Sequence, residues 1–572
     1  MSALKLKKAT SMNRLLPLIA TVVGLGMGAA AHAAAPGIQG PNFVLTAHDG
    51  FINQPDGNQV YTWGYGCDPT AAAPTFVPTA ISAGSCPQMQ IPAPTMVVTE
   101  GQMVNITLTN QLPAAVGNTS MLFPGFQVTA AAAATQPASC TGGGASAIVQ
   151  GLLTTEVTNG CAITYSFTAS TPGTHSYYSG TQGDLQVEMG MYGALIVLPA
   201  TVPANCTTGL AQSNLAAEAH WGESDFRLSP AAYDHAKTCY DREYLFQFSE
   251  MDSNIHATAL AQVQAATAAG CVAGSYGCSL NVPTEPYHPA YFLINGRSMP
   301  DDMDGNYADQ YPNQPYNGNP HMHPGEQVLL RVIGQGRWQH PFHEHANHVR
   351  ILARDGNLLL SRTDPTQLAG PLMFTTTTTP GLAFDGIFYY TGKGLNWDMY
   401  GHNPGSTDPL AVLPCTPDAN GYNTGDPTAL NYYEWCQDHN KPLEAMPLGD
   451  VAAGGPATLP NPNIFTNGAW YGGSPYLGPD ATLRSDTTLR NGSSGCVTGT
   501  TVVTAAAGSN PTPNCTNLQP SNIQANPANE RGYAFMWHSH NEREITTNNV
   551  FPGGMFMMML VDSREFVIDE SK

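Results

Sequence analysis

Apolar and polar residues alternate with period two at two places along the chain, 224 residues apart. In "PTMVVTEGQMVNITLTNQL" (94–112), Val104, Ile106 and Leu108 follow a turn glycine and share one face. In "NPHMHPGEQVLLRVIGQG" (319–336), Val328, Leu330 and Val332 do the same. Such alternation predicts a strand with one buried side. A second pair recurs further on. "TPGTHSYYSG" leads to "MYGALIVLP", and "ERGYAFMWHSH" leads to "GGMFMMMLV". Setting Tyr178 against His538 gives an offset of 360, so the second copy is longer by 136 residues between its halves. "REYLFQFSEMD" (242–252) predicts the opening strand of the second copy and "AYFLINGRSMPD" a further strand and turn, with one helix at "LAQVQAATAAG" between them. The pattern is written twice, which predicts two β-sandwich domains, 41–200 and 240–567. The second is interrupted by an insert at about 403–530, rich in Gly, Pro, Asn and Thr.

Composition agrees with an all-β chain rich in loops. Only 11% of the 572 residues are charged, while Gly (58) and Pro (46) are abundant. The chain opens with Lys5, Lys7, Lys8 and Arg14, then an apolar run, then the small-residue site Ala31-His32-Ala33. That order predicts a secretory signal peptide over 1–33, cut after Ala33, and an exported protein, secreted or periplasmic. The apolar run is short for a membrane anchor, and no later segment predicts a span. Loss of the four leader cations takes the formal net charge from −21 to −25, a balance that disfavours nucleic acid and anionic lipid and suits cations. The twelve cysteines fall in neighbouring pairs along the chain, 67/86, 140/161, 206/239, 271/278, 415/436 and 496/515. In an oxidising compartment they are proposed to close six disulfides in that order, a connectivity that sequence alone leaves open.

The histidines supply the candidate chemistry. "HPFHEHANH" contributes His340, His343, His345 and His348, and "WHSH" contributes His538 and His540. Residues two apart on a strand face the same side, so His343 points with His345, and His538 with His540, while Glu344 and Ser539 point away. Two such strands side by side would place four imidazoles on one wall, a site suited to copper or zinc. A single His-x-His is more often hydrogen-bonded core or surface, which is the reading given to His321 and His323 as a solvated pair. Met555, Met557, Met558 and Met559 read as a Met-rich core strand, and Glu542 and Glu544 as loop charges or carboxylates completing a site.

"HPFHEHANHVRILARDG" resembles the "HPFHLHGH" motif of multicopper oxidases, and "WHSHNERE…GGM" resembles their final "HCHxxxHxxxGM" motif. "LINGRSMPD" and "PGTHSYYSG…MYGALIV" are similar to that family too. The resemblance covers most of 42–561 outside the insert. It implies cupredoxin domains, Greek-key β-sandwiches in tandem, with copper as the cofactor. By this likeness His340 matches a blue-copper ligand, His343 the type 2 ligand, and His345, His538 and His540 the type 3 ligands. The departures are as informative. The blue-copper cysteine falls on Ser539, the following histidine on Glu544, and the axial methionine on Met555, displaced by extra residues. In the first copy the four ligand positions fall on Leu122, Pro124, Tyr178 and Gly180.

Serine offers no thiolate, so no blue copper is expected, and the family's electron entry is missing. Three functions remain: an exported copper protein with a histidine-only site and oxidoreductase activity toward small reductants or metal ions; a copper-binding or structural scaffold without turnover; and, last, a mononuclear hydrolase, for which no nucleophile motif speaks. Two-domain members of the family often close into trimers, which implies a homotrimer here.

Overall fold

The structure is a computed structural model describing residues 34–81, 84–141, 144–393, 413–439 and 532–571 without 563 and 565, with four short strands between 466 and 504. Two pairs of sheets organise it. In the first pair, one sheet orders Gly173–Tyr178, Tyr192–Leu198, Ala93–Thr99, Gly37–Gln39 and Phe76–Val77. The other orders Gln59–Cys67, Asn42–Asn53, Met103–Asn110, Ala162–Thr168 and Thr129–Ala132. The alternating residues Val104, Ile106 and Leu108 are fully buried between them, with Trp63, Tyr65 and Tyr165.

The second pair repeats the topology. Arg242–Met251 runs parallel to Gln327–Gly334, as Asn42–Asn53 runs parallel to Met103–Asn110. Gln327–Gly334 then pairs antiparallel with Ala383–Tyr389, as Met103–Asn110 does with Ala162–Thr168. In the facing sheets, His321–Met322 lies parallel to Phe556–Asp562, which pairs antiparallel with Gly532–Ser539. Ala93–Thr99, Tyr192–Leu198 and Gly173–Tyr178 stand in the same relation. The chain is thus an all-β protein of tandem cupredoxin-like sandwiches. In the first copy four residues separate Ala162–Thr168 from Gly173–Tyr178. In the second, the corresponding gap runs from Tyr389 to Gly532 and holds the additional residues.

Period two described only half of the second copy's burial. Every residue of Arg242–Met251 is buried, and so are Leu329 and Ile333 beside the alternating Val328, Leu330 and Val332. The second face of this sheet is covered by the first sandwich. Val97, Ala194 and Ile196 pack there against Leu245, Ile333 and Ala383. Hydrogen bonds join the two sandwiches: Thr174 Oγ1 donates to Asp385 (2.6 Å), Tyr192 Oη to Ser249 (2.7 Å) and Ser176 Oγ to Gln335 (3.1 Å).

The helix expected near 260 spans Ser253–Ala268, capped by Asp252 accepting from the Asn254 N–H. A further helix, Leu210–Trp221, has no apolar stripe to announce it and was not foreseen. Five disulfides join the cysteines in the order proposed: 67–86, 140–161, 206–239, 271–278 and 415–436. The side chains of Cys496 and Cys515 lie outside the described residues, as do the leader and most of the insert. Among the described residues no helix is long and apolar enough to cross a membrane.

Candidate metal centre

His340–Glu344 pairs antiparallel with Gly532–Ser539, and the register sets His343 directly opposite His538 and Phe342 opposite Ser539. Parity then sorts the side chains. Phe342 and Trp537 point inward and pack against Phe246 and Phe248. Glu344 also points inward and is fully buried with neither oxygen bonded, so burial pushes its carboxyl well above the usual range and keeps it neutral. The imidazoles point outward. His343 is the hub: its ring centroid lies 4.8 Å from His345, 5.5 Å from His538 and 4.8 Å from His540.

The donor atoms converge. A ring nitrogen of each of His343, His345 and His538 lies within 4.8 Å of the others, and the Nε2 atoms of His345 and His538 are 3.3 Å apart. His343 Nδ1 is 2.7 Å from Thr375 Oγ1 and His538 Nδ1 is 2.7 Å from the Ser539 carbonyl. The carbonyl contact fixes Nδ1 of His538 as the protonated nitrogen and leaves its Nε2 lone pair free, an orientation typical of metal-binding imidazoles. Burial, then the neighbouring imidazoles, lower His343 and His345 to about 4, and burial lowers His538 as well. These three rings are therefore neutral at pH 7, the form that ligates. His540 is more exposed and completes the wall. His345 is followed by Ala346 at φ 84, a left-handed residue where the chain leaves the strand. A half-buried set of neutral imidazoles with no thiolate is a donor set that suits copper among the metals that take nitrogen ligands.

The structure places His340 apart from the other expected ligands: its parity is that of Phe342, and it is buried on the inner side. Its Nδ1 is 2.9 Å from Glu544 and its Nε2 2.9 Å from Glu250. Burial opposes a charge there, but the hydrogen bonds to Glu250 and Glu544 outweigh it and hold His340 up to about 9. Both nitrogens carry protons, so this imidazolium has no lone pair for a metal. Glu544 is likewise no loop charge: it is buried and accepts from Ser539 Oγ (2.5 Å) and Asn541 Nδ2 (2.8 Å). Met555 closes the group through backbone bonds to Ser539 and Glu544. The four residues at the blue-copper positions do come together: His340 and Ser539 both meet Glu544, and Met555 joins through its backbone.

Glu250, which pattern reasoning missed, completes an ion triad with His340 and Glu544. Its Oε1 accepts from the Arg337 and Trp338 N–H groups (2.6 and 2.9 Å), and Gly336, at φ 67, admits the carboxylate where a Cβ would stand 2.4 Å from Oε2. The available signal was the one acid within the strand sequence 244–251.

Other histidines also differ from expectation. His321 and His323 are buried, not solvated: His321 Nδ1 meets Asp562 (2.6 Å) and His323 Nε2 meets Glu223 (2.7 Å). His348 meets Phe374 edge to face, and Phe374 meets His343 in the same way. Glu542 is exposed. Met555, Met557 and Met559 are fully buried core residues, as their strand pattern suggested. Cys415, Glu434 and His439 also approach one another, but Cys415 is tied up in its disulfide with Cys436. The four first-copy positions gather on themselves: Leu122 bridges Tyr178, Gly180 lies against Leu122, Pro124 is exposed, and Tyr178 lies over Gly381. The ring contacts recorded for the imidazole wall all come from the second copy.

Residues 86–201 match the family model described as multicopper oxidase. No curated protein matches the sequence. Among solved structures, the chain is similar to a multicopper oxidase called mgLAC (13% identity, TM-score 0.40, 91% of this chain and 85% of that one). It is similar also to a blue copper oxidase from Nitrosomonas europaea (18%, 0.36, 60% and 74%) and to Fet3p, a multicopper oxidase that functions in iron import (17%, 0.34, 62% and 46%). Residues 86–201 are thus similar to a domain of the multicopper oxidases, a family whose cofactor is copper.

Proposed function

We propose that this is an exported copper protein of multicopper-oxidase type. Its copper is held by His343, His345, His538 and His540, and it acts as an oxidoreductase toward small reductants or metal ions. The observation that carries this reading is the convergence of three neutral imidazoles within 4.8 Å on an open sheet face, with the fourth alongside. Copper there would supply one-electron chemistry. The chain's own residues do the rest: Thr375 and the Ser539 carbonyl orient the rings, and Phe374 shields one side of His343. Export rests on the leader pattern and on the pairing of cysteines in disulfides. The homotrimer remains part of the proposal, since the imidazole face is open to a second copy.

A second reading has its own support. The triad Glu544–His340–Glu250 fills the position from which this family takes electrons, so the protein would bind copper as a scaffold without turnover. Copper per chain, an EPR spectrum, and oxygen uptake with a phenol or Fe(II) donor separate the two. Turnover that tracks bound copper supports the oxidoreductase. Stoichiometric copper without oxygen uptake supports the scaffold, and no stoichiometric copper refutes both.

A further inference from the structure

The two residues that follow the expected cleavage site are buried: Ala34 is 4% exposed and Ala35 fully buried. Ala34 lines a cavity of about 10 Å³, room for one water-sized group. Its other walls include Glu218 from the Leu210–Trp221 helix and Glu570 near the C-terminus. Glu218 Oε1 and Glu570 Oε2 are buried there without a hydrogen-bond partner, and both residues are at least 96% buried by surface area.

The cations nearby are committed elsewhere. Arg242 binds Glu326 (2.6 Å) and Glu223, and Arg227 binds Asp225 through two nitrogens at 2.9 Å. Of the other acids on the wall, Asp241 accepts from Asn214 and the Gln327 N–H (2.9 and 2.8 Å), and Glu243 accepts from Arg331 and Tyr240 (2.7 and 2.8 Å). Among the described residues Glu570 accepts from Tyr244 Oη alone, at 2.8 Å on its other oxygen. Unpaired buried carboxylates are costly. Burial accordingly pushes Glu218 and Glu570 well above the usual carboxylate range. What the cavity lacks is a compact cation with several donors.

We propose that the cavity receives the chain's own α-ammonium: cleavage after Ala33 creates a charged amine on Ala34 that docks between Glu218 and Glu570. The inference rests on the exported reading above. Hydrolysis of the Ala33–Ala34 peptide bond consumes one water and leaves a carboxylate on Ala33 and an ammonium on Ala34. Before cleavage the same nitrogen is a neutral amide with one donor; afterwards it has three donors and a positive charge. Removal of the leader therefore locks the N-terminal strand Gly37–Gln39, the Leu210–Trp221 helix and the C-terminal segment together at one point.

The test uses the full mature chain released from a fusion with Ala34 as its first residue, beside one carrying an extra glycine before Ala34. The folded Ala34 chain should acylate at its α-amine at least about tenfold more slowly at pH 7 than the extended one, tenfold being the loss of free amine for each unit of raised pKa. Glu218→Gln with Glu570→Gln keeps the amine enclosed but removes the charges, and should restore ordinary reactivity; Glu570→Gln alone is the fallback if the pair does not fold. Ordinary reactivity of the folded Ala34 chain, or slow reactivity surviving the Gln changes, overturns the docking. The intact mass of the protein recovered after export should place its first residue at Ala34. A different first residue overturns the cleavage reading itself, which keeps the two failures distinct.

Discussion

Raising the pH through 9 should cost this protein stability at one identifiable group, the buried imidazolium of His340. Burial works against its charge, and Glu250 and Glu544 at 2.9 Å on either side hold it up to about 9 against an ordinary 6.5. A raised folded pKa means stability that is fully present below 6.5 and lost as pH rises through about 9. The interval between those values, at about 1.4 kcal/mol per unit, sets the contribution at about 3 kcal/mol. The perturbation is His340→Gln, which keeps hydrogen-bonding capacity and loses the titration. Urea unfolding of copper-free protein at pH 6, 7.5, 9 and 10 should show the wild type losing about that amount across the series. The variant, with two carboxylates facing an uncharged amide, should start lower by about 3–5 kcal/mol, as when one partner of a buried ion pair is removed. Its curve should then be flatter between pH 7 and 9. Histidine-selective nitrogen labelling gives a direct readout, with His340 doubly protonated at pH 7. A neutral His340 at that pH, or equal slopes in both proteins, would refute the triad.

Copper should disappear on joint His343→Ala and His538→Ala substitution, measured as metal per folded chain, since these two face each other across the strand pair. His321→Ala or His323→Ala should leave copper per folded chain unchanged but cost about 2 kcal/mol or more each in denaturant unfolding, because each breaks a buried bond to a carboxylate. The copper-loaded protein should show no intense blue absorption, with Ser539 and Glu544 at the thiolate and histidine positions; a strong blue band would overturn that assignment. Copper retention should persist as pH falls through 6 to about 5, since His343 and His345 protonate only near 4. Release centred at 6.5 in a copper titration would contradict their depressed values. Light scattering on copper-free protein should report a trimer, and a monomer with and without copper would rule it out.

How much of this was legible depended on whether neighbours in sequence were neighbours in space. The repeat was legible because alternation at 104–108 and 328–332 encodes a buried face directly. The imidazole wall was legible because parity alone turns His343 with His345 and His538 with His540. The same parity, applied one step further, places His340 on the opposite side of its strand, where the family likeness had grouped it with the ligands. Its true partners, Glu250 and Glu544, are 90 and 204 residues away, and no local pattern pairs them. His321 and His323 were misjudged for the same reason, since Asp562 and Glu223 come from distant segments. The second buried face of Arg242–Met251 reflects contact between the two sandwiches, which period two does not encode.

The five disulfides carry a consequence for biogenesis. Each joins one cysteine to the next along the chain, across separations of 19, 21, 33, 7 and 21 residues. A polypeptide emerging N-terminus first would meet an oxidant with only one unpaired thiol waiting at a time. Simple first-come oxidation then yields these five pairings, so forming them should need a thiol oxidase but no isomerase.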